Sequence, residues 1–404
     1  MNMRLAGIAF CLLALSAPAR GQEARQGALV HVTQTGPQVE AIKKTLETIK
    51  LPPGFKISLY ALVPGARHMA VRPEGKVIFV GTMGATVYAV AAAPEPASSP
   101  EITEFAPSIG MKLPNGVCFS SAGVLFVVEQ NRVLSFPAAE ANYEDPSIAA
   151  TTIVAQGKLI PPKDESMVHS ARVCRVGPDN KLYIALGQPY NVPPKTKMDE
   201  FNKWGLGGIV RMNLDGTGRE VFARGIRNSV GMDFNPEDGI LWFTDNQVDG
   251  MGDDIPPEEL NRAPKAGLDF GFPWYGGGHT RTGEYKNETP PEGLVFPEIE
   301  TPAHAADLGM IFYTGTQFPP KYRGGIFFAQ HGSWNRTVPI GARVSFASLK
   351  PGGTGGKVEV FAEGWLNEKG SYDGRPVDVA EFPDGSLIVS DDYAGALYRI
   401  TYEE

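Results

Sequence analysis

Residues 172–187 read RVCRVGPDNKLYIALG, and this stretch is one copy of the unit from which the chain is built. An apolar run leads into a turn with Gly, Pro, Asp and Asn, and a second β-rich run follows. Two such runs joined by a Gly- or Asn-containing turn are typical of a β-hairpin. The pattern recurs in five other places: MAVRPEGKVIFVG (69–81), GVCFSSAGVLFVVE (116–129), GMDFNPEDGILWFTD (231–245), MIFYTGTQFPPKYRGGIFFAQ (310–330) and VDVAEFPDGSLIVSD (377–391).

The spacing of these six copies predicts the architecture. The turn centres lie about 50–60 residues apart, with one wider gap of roughly 85, and this is the spacing of propeller blades. We therefore predict an all-β fold, a six-bladed β-propeller with four-stranded antiparallel blades, forming one domain over residues 51–404. Closure into a ring removes exposed sheet edges. The wide gap, about 246–308, is rich in Pro, Gly and acids and predicts an elaborated loop on one face; two separate β-domains are the alternative.

An N-terminal extension, residues 22–50, precedes the first blade. Its segment VEAIKKTLETIK (39–50) has apolar residues at 39, 42, 46 and 49, which is a helical period. Pro52 and Pro53 would end such a helix. The pattern predicts one short helix over 39–50 that packs on the propeller.

Residues 1–21 are typical of a signal peptide. Arg4 precedes an apolar run from Leu5 to Ser16, and small residues follow at Ala17 and Ala19. The run is too short to span a bilayer, although a buried N-terminal helix is an alternative. Since no other segment is long and apolar enough to cross a membrane, we predict no membrane span and a periplasmic or secreted protein.

The charge balance argues against some partners. The formal net charge is −8, and removal of the two arginines of the predicted signal peptide leaves −10. An acidic surface disfavours nucleic acid and anionic membranes as partners. A locally basic pocket would still bind a small anion.

Two cysteines, Cys118 and Cys174, remain beyond the predicted signal peptide. An exported protein is exposed to oxidising conditions, so a disulfide between them is permitted. Two buried thiols in inner strands are the alternative. The CxxCH pattern is absent, and so are the P-loop, the HExxH zinc motif and the GxSxG elbow.

Polar clusters mark candidate sites beside the predicted inner strands. His169 precedes one such strand and suits proton abstraction near pH 7, although a lone His there is more often structural. Arg227 and Asn228 precede the next strand, where a guanidinium binds a carboxylate or stabilises an oxyanion. Arg336 and Arg375 flank later inner strands. Three arginines around one axis would suit a small polyanion.

The wide gap also contains an acidic loop, TDNQVDGMGDDIPPEELN (244–261). Calcium takes six to eight oxygens from carboxylates, carbonyls and water. The loop is therefore a calcium candidate, and a solvated acidic loop is the alternative. Its acidic residues are Asp245, Asp249, Asp253, Asp254, Glu258 and Glu259.

These motifs, taken in order, resemble the soluble sugar dehydrogenases of the glucose/sorbosone dehydrogenase family, which use pyrroloquinoline quinone. The resemblance runs from LPPGFKISLYA (51–61) to the C-terminus, and the chain is more similar to the sorbosone dehydrogenase branch. Any one motif is weak, whereas the ordered set is specific. It comprises His169 before GPDNKLY, RGIRNSVGMDF, LWFTDN with GDD and PPEELN, FGFPW, and GRPVDVAEFPDGSLIVSDD.

The resemblance implies a six-bladed propeller, the quinone and Ca²⁺ as cofactors, and oxidation of an aldose or sugar aldehyde. It makes His169 the general base that takes the substrate proton, and Arg227 the residue that stabilises negative charge on the quinone. The cofactor-binding residues that it implies are Asn228, Asn246, His304 and Arg375, with Arg336 in place of a missing Lys. The calcium ligands that it implies are the carbonyls of Gln247 and Val248, with Asp253 and Asp254 as looser matches.

The chain departs from the glucose-active pattern at several positions. Gln188 stands where an Asp supports the catalytic His, and Val377 stands where a second cofactor-binding Arg is found. With no haem of its own, an oxidoreductase of this kind needs a separate electron acceptor, such as a cytochrome or a quinone. Two other functions compete with it: a calcium-dependent propeller lactonase or other hydrolase, and a propeller that binds a ligand without catalysis.

Overall fold

The structure is a computed structural model, and it describes residues 29–72, 75–92 and 100–403. The predicted signal peptide lies outside these residues. Two α-helices, α1 (Pro37–Leu46) and α2 (Met198–Trp204), and three 3₁₀ turns (Pro162–Asp164, Lys195–Lys197 and Pro320–Tyr322) accompany a fold made otherwise of strands. None of the helices in the described ranges has the length and apolar character needed to cross a membrane.

Twenty-five strands are found in the described part of the chain. In order they are β1 (Phe55–Leu62), β2 (Met69–Ala70), β3 (Val77–Val80), β4 (Val87–Ala91), β5 (Ile102–Phe105), β6 (Gly116–Phe119), β7 (Leu125–Val128), β8 (Val133–Phe136), β9 (Thr151–Val154), β10 (Val173–Val176), β11 (Lys181–Leu186), β12 (Gly208–Asn213), β13 (Glu220–Arg224), β14 (Met232–Phe234), β15 (Leu241–Asp245), β16 (Glu258–Ala263), β17 (Leu268–Asp269), β18 (Ile299–Thr301), β19 (Asp307–Phe312), β20 (Ile326–Gln330), β21 (Arg343–Lys350), β22 (Thr354–Glu363), β23 (Pro376–Glu381), β24 (Leu387–Asp391) and β25 (Ala396–Tyr402).

These strands form six sheets, which confirms the predicted six-bladed propeller. From the axis outward, the sheets are β2-β3-β4-β5, β6-β7-β8-β9, β10-β11-β12-β13, β14-β15-β16-β18, β19-β20-β21-β22 and β23-β24-β25-β1. We number them as blades 1 to 6. The innermost strands are β2, β6, β10, β14, β19 and β23, and we call the face on which they begin the top face.

The ring is closed by the two ends of the propeller sequence. Strand β1 adds to the outer edge of blade 6, with Phe55 opposite Tyr402 and Leu62 opposite Ala396 in an antiparallel register. The last blade is therefore built from both ends of the domain. This pairing removes the free edge that blade 6 would otherwise expose.

Two details differ from the sequence prediction. Blade 3 has a fifth strand, since β17 pairs with β13 in parallel. The wide gap supplies β16 and β18, which complete blade 4, in addition to loops. The blade pattern was missed there because β17 and β18 are only two and three residues long.

The predicted N-terminal helix is present but shorter than expected. It spans Pro37–Leu46 instead of 39–50, and its buried residues Val39, Ile42 and Leu46 pack on the core between blades 5 and 6. Residues 47–50 leave the helix because Lys50 exchanges two backbone hydrogen bonds with Glu363 at the end of β22, at 2.7 and 3.2 Å. Pairing with the propeller therefore ends the helix before Pro52 is reached.

The two cysteines form a disulfide, so the alternative of two free thiols was wrong. Cys118 lies in β6 and Cys174 in β10, so the bond joins the innermost strands of blades 2 and 3. Both residues are at most 1% exposed. The bond spans 56 residues of sequence and constrains the unfolded chain.

We expect the double variant Cys118→Ala/Cys174→Ala to lose about 2–4 kcal/mol of unfolding free energy, the usual effect of losing such a loop constraint. Urea unfolding under oxidising conditions measures this loss. Adding reductant should bring the wild type toward the variant and leave the variant unchanged. Equal midpoints without reductant would contradict a stabilising role for the bond.

Candidate active site

Six of the predicted residues converge in one cavity where the central channel opens on the top face: His169, Arg227, Asn228, Asn246, Gln247 and His304. His169 lies shortly before β10, Arg227 and Asn228 before β14, and His304 before β19. Because inner strands begin on one face around one axis, such positions meet although they are distant in sequence. Together they border a cavity of about 160 Å³. Its other lining residues are Asn246, Gln247, Asp249, Glu258, Ala306, Trp334 and Asn335.

The imidazole of His169 is held in one tautomer. Its Nδ1 lies 2.6 Å from the carbonyl oxygen of Gln188. A carbonyl only accepts hydrogen bonds, so Nδ1 carries the proton and Nε2 keeps a free lone pair. Within the described ranges no residue bonds to this Nε2. Burial, and after it the charge of Arg227, lower the pKa of His169 to about 3. The side chain is therefore a neutral base at physiological pH.

The backbone around His169 is tightly constrained. His169 has a φ of 51°, in the left-handed region that most residues other than Gly avoid. A Cβ at Gly187 would lie 2.7 Å from the carbonyl oxygen and 2.8 Å from the Cβ of His169, so the site requires Gly. Arg172 Nη1 donates to the carbonyls of His169 at 2.8 Å and of Gly187 at 3.1 Å. Strain that neighbours maintain in this way is common at functional sites.

Gln188 supports His169 through its backbone, not through its side chain. The side-chain amide of Gln188 instead binds the backbone of Tyr190: Nε2 donates to the carbonyl, and Oε1 accepts from the N–H at 2.9 Å. The side chain that replaces the expected Asp is therefore turned to its own loop. The orientation of the imidazole is kept, whereas a carboxylate to stabilise its cation is missing at this position.

Arg227 is buried in the cavity wall, 3% exposed, with its guanidinium fixed on several sides. Nη2 donates to Asp249 Oδ2 at 2.7 Å and to Asn191 Oδ1 at 2.8 Å. Nε and Nη1 donate to the carbonyls of Asn191 and Asn246 at 3.0 and 3.1 Å. The backbone below is anchored by Asp245, whose carboxylate accepts the N–H groups of Arg227 and Asn228 at 3.0 and 2.7 Å. The positive charge is thus held in place before any ligand binds.

Three amide oxygens in the cavity lining have no hydrogen-bond partner although they are buried. They are Oδ1 of Asn228, Oε1 of Gln247 and Oδ1 of Asn335. An unpaired buried acceptor costs about 1–3 kcal/mol, so such atoms call for an explanation. Three of them around one cavity are well suited to a bound cation or to hydrogen-bond donors of a ligand.

The predicted calcium carbonyls belong to buried residues at the same cavity. Gln247 and Val248 are 4% and 3% exposed, and neither carbonyl accepts a hydrogen bond from a described residue. The N–H of Gln247 donates to Glu258 Oε2 at 2.8 Å, which brings a buried carboxylate to the same wall. No group of three or more His, Cys, Asp or Glu side chains in the described ranges is arranged to hold a metal ion. A cation here would depend on amide and backbone oxygens as well as on carboxylates.

Asp253, Asp254 and Arg336 lie together beside the cavity and are not part of its lining. Arg336 donates to the carbonyl of Asp253 and, at 3.2 Å, to the carboxylate of Asp254. Both carboxylate oxygens of Asp253 accept the N–H of Thr337 at 3.0 Å. These three predicted residues therefore bind one another across two loops.

Asn246 and His304 connect blades 4 and 5 at the cavity. Asn246 Nδ2 donates to the carbonyls of Asn228 at 3.2 Å and Asp307 at 2.7 Å. His304 Nε2 donates to the carbonyl of Gly252 at 2.7 Å, and its Nδ1 lies 3.3 Å from Asn335 Nδ2. Both side chains keep the loops that form the cavity in place.

Sequence reasoning did not assign Trp334 and Asn335 to the site. They directly precede Arg336 in the GSWNR motif, which was interpreted through its arginine alone. Asn335 Nδ2 donates to Asp249 Oδ1 at 2.8 Å, whereas Trp334 is 74% exposed at the cavity entrance. An exposed Trp is unusual on a protein surface, and its place beside a predicted site residue was the available signal.

The buried carboxyl of Asp307, below the site, should make the stability of the protein depend on pH. It is 0% exposed, and burial raises its pKa to about 6 despite hydrogen bonds from Gln330 and Thr301. Since the folded pKa exceeds the unfolded value of about 3.9, stability that is present below pH 4 is lost as pH rises to 6. This loss amounts to about 3 kcal/mol for the single group.

We expect Asp307→Asn to remove this contribution. Between pH 4 and pH 7 the variant should lose about 2 kcal/mol less unfolding free energy than the wild type does, since part of the effect is already lost at pH 4. Asn can keep both bonds, because Thr301 is able to accept as well as donate. Urea unfolding at the two pH values measures the effect. An unchanged pH dependence would show that Asp307 is ionised in the folded protein at pH 4.

The fold and the site together define a six-bladed propeller with a polar, constrained cavity where its channel opens. The profile of the glucose/sorbosone dehydrogenase family matches residues 135–399. The chain is 32% identical over 376 residues to an uncharacterized protein of Borreliella burgdorferi, covering 90% of this chain and 93% of the other. It is 27% identical over 240 residues to the aldose sugar dehydrogenase YliI of Escherichia coli, covering 54% and 56%.

Among solved structures, the holo form of the pyranose dehydrogenase PQQ domain from Coprinopsis cinerea matches with a TM-score of 0.67 and 17% identity. The match covers 87% of this chain and 97% of that one, and it shows a shared fold. The family match extends over more than half of the chain. The protein belongs to the glucose/sorbosone dehydrogenase family.

Proposed function

We propose that this protein is an exported dehydrogenase that oxidises an aldose or a related sugar, with pyrroloquinoline quinone and Ca²⁺ bound at the cavity. One observation carries the proposal: a neutral His with a free Nε2 and a fixed, buried Arg face the same small cavity. Membership of a sugar dehydrogenase family favours an oxidoreductase over the hydrolase and binding-protein alternatives. The relatives named as aldose and pyranose dehydrogenases support a sugar as the substrate.

The residues of the cavity fit both implied groups by their chemistry. Oxygen donors for Ca²⁺ are available from the carbonyls of Gln247 and Val248, the unpaired Oε1 of Gln247, and the carboxylate of Glu258. The carboxylate of Asp249 already accepts from Arg227 and Asn335, so it would have a lesser part. Asp253 and Asp254 would first have to leave Arg336 and Thr337, so we assign them a lesser part. The cavity of about 160 Å³ is smaller than the roughly 300–1,000 Å³ of most ligand pockets, and its lining includes the exposed Trp334.

When bound, the quinone would accept hydride from the substrate carbon, and Ca²⁺ would polarise it as a Lewis acid. In this scheme Nε2 of His169 takes the proton of the substrate hydroxyl, while Nδ1–H stays on the carbonyl of Gln188. Arg227 places positive charge where negative charge develops. An anionic ligand beside Arg227 would also offset the charge that lowers the pKa of His169, which would make the imidazole a better base.

The proposed function is tested by titrating metal-free protein with pyrroloquinoline quinone and Ca²⁺, followed by dye reduction on a panel of aldoses and sorbosone. We expect saturable binding and calcium-dependent reduction with at least one sugar. Absence of binding would overturn the cofactor assignment. In the proposed reaction, a separate cytochrome or quinone would accept the electrons from the reduced cofactor. Fractionation of the native host would test the proposed export.

A further inference from the structure

A second cavity lies at the opposite mouth of the channel, on the face where the innermost strands end, which we call the bottom face. Its volume is about 540 Å³, and five of the six blades contribute to its lining. The lining residues belong to β2, to the ends of β10, β14, β19 and β23, or to the turns that follow these strands. A ligand in this bottom cavity would therefore be enclosed by most of the ring.

The bottom cavity is separate from the cavity at His169, since the described linings of the two share no residue. Ala306, directly before β19, lines the upper cavity, whereas Phe312, the last residue of β19, lines the bottom one. Between them in the same strand, Leu308 is 6% exposed and belongs to an apolar cluster with Val377, which is 2% exposed. A ligand in the bottom cavity therefore does not reach His169.

The bottom cavity has the shape and polarity of a small-molecule site. Its lining extends from the buried residues Met69, Ile311 and Ala380 to the exposed residues Pro236 and Pro383, so the cavity opens to solvent. Ligand pockets usually measure roughly 300–1,000 Å³ and combine a mainly apolar lining with a few polar groups. Both features are present here.

The otherwise apolar described lining includes four polar residues: Arg175, Asp233, Thr314 and Glu381. The carboxylate of Glu381 accepts the N–H and hydroxyl groups of Thr314 and the N–H of Gly315, at 2.8–3.2 Å. The carboxylate of Asp233 accepts the N–H of Phe312 at 2.9 Å through Oδ2. Both acids therefore bind the backbone of blade 5.

The guanidinium of Arg175 is fixed at one end and available at the other. Its Nε donates to the carbonyl of Met232 at 3.1 Å and lies 3.5 Å from Asp233 Oδ1. No residue in the described part of the chain accepts a hydrogen bond from Nη1 or Nη2. The side chain is 20% exposed, so both terminal NH₂ groups remain available to a ligand in the cavity. Two such groups bind a carboxylate through parallel hydrogen bonds.

The three arginines singled out from the sequence are used differently. Arg227 and Arg336 donate through terminal nitrogens to carboxylates of neighbouring loops. Arg375, which does not line the cavity at His169, donates through Nη2 to the carbonyl of Gly332 at 2.7 Å. Arg175 was interpreted only as part of a strand, yet its terminal nitrogens are the ones left for a ligand.

We propose that the bottom cavity binds a monocarboxylate with an apolar body, whose carboxylate pairs with Arg175 and whose body packs on Met69, Ile311 and Phe312. This site goes beyond the proposed function, because it requires neither the quinone nor a sugar. The carboxylates of Asp233 and Glu381 in the same lining oppose an anion. The affinity should therefore depend on the balance between Arg175 and these two acids.

The site is tested by isothermal titration of the cofactor-free full-length protein with 4-phenylbutyrate and with its uncharged analogue 4-phenylbutyramide. We expect saturable binding of the acid by the wild type, and at least about tenfold weaker binding both of the amide by the wild type and of the acid by Arg175→Gln, because a hydrogen-bonded charge is lost. The matched control is Arg211→Gln. Arg211 lies in β12 of the same blade, pairs with Glu220 at 2.6 Å and does not line the cavity, so this variant should bind as the wild type does.

A second variant separates ligand binding from a structural role of Arg175. Asp233→Asn removes a negative charge beside the guanidinium but keeps an oxygen that accepts the N–H of Phe312. It should bind 4-phenylbutyrate more tightly, by about threefold or more. A merely structural Arg175 predicts no such gain, and this variant decides alone if Arg175→Gln does not fold.

Arg227→Gln distinguishes the two cavities, since Arg227 lines only the upper one. Binding of 4-phenylbutyrate should be unchanged in this variant. Weaker binding in Arg227→Gln but not in Arg175→Gln would place the acid beside His169 and overturn the bottom site. The site would also be overturned by no binding to the wild type, by equal affinity for acid and amide, or by unchanged affinity in both Arg175→Gln and Asp233→Asn.

Discussion

Replacement of His169 by Asn is expected to lower kcat by about 10²–10⁴-fold, the usual contribution of a general base. Asn is the informative substitution because position 169 has a φ of 51°, which Asn tolerates better than Ala. The variant should therefore fold, and any loss of activity should come from the missing Nε2. Steady-state dye reduction with the loaded enzyme measures the effect.

The control for this variant is His279→Ala. His279 is exposed and stacks on Phe296 at 3.9 Å, so its removal takes away an imidazole without touching the cavity. Binding of the quinone should be nearly unchanged in His169→Asn, since the loss is expected in the chemical step. Full activity of His169→Asn would eliminate His169 as the base, whatever its position.

Replacement of Arg227 by Gln is expected to reduce kcat/KM by about 10²–10³-fold, comparable to the loss of one preorganised oxyanion donor. The guanidinium is fixed by Asp249, Asn191 and the carbonyl of Asn246 before a ligand arrives. Its stabilising effect therefore needs no reorganisation during the reaction. Gln cannot supply the charge, although it keeps some hydrogen bonding.

A pH measurement distinguishes this electrostatic role of Arg227 from a structural one. Burial is the larger cause of the low pKa of His169, and Arg227 is the second. In Arg227→Gln the pKa of His169 should rise from about 3 but stay below its usual value, because burial remains. An NMR titration of the imidazole in cofactor-free protein reports this shift.

Arg262→Gln is the matched control for Arg227→Gln. Arg262 lies in β16 of the same blade and pairs with Asp238 at 2.9 Å, away from the cavity. It should leave both kcat/KM and the pKa of His169 unchanged. An unshifted pKa in Arg227→Gln would mean that the charge of Arg227 is neutralised by Asp249 and does not reach His169.

The repeats were visible in the sequence because each blade buries its strands in the same way. A run such as LIVSD at 387–391 is buried at every position, and the turn before it carries its own Gly and Asp. Such local patterns need no knowledge of distant contacts. For the same reason His169 and Arg227 could be singled out, since each lies a few residues before an inner strand.

The limits of the helix and the disulfide depended on distant partners, and the orientation of Gln188 depended on contacts within its own loop. Lys50 leaves the helix to pair with Glu363, and Cys118 meets Cys174 only because blades 2 and 3 are adjacent. The side chain of Gln188 turns to Tyr190 while its carbonyl holds His169. No local pattern in the sequence distinguishes a side-chain contact from a backbone contact at one residue.

The sequence by itself determined the six blades, the family and the strand ends on which the site is built, because these follow from local repeats and ordered motifs. The tertiary structure decided which of the charged side chains reach the cavity. It turned Arg336 toward Asp253 and Asp254, buried Val377 in an apolar cluster that also contains Leu308, and paired Arg67 of blade 1 with Asp392 of blade 6. Ring closure makes neighbours of residues that are more than 300 positions apart, and only the closed ring sets those distances.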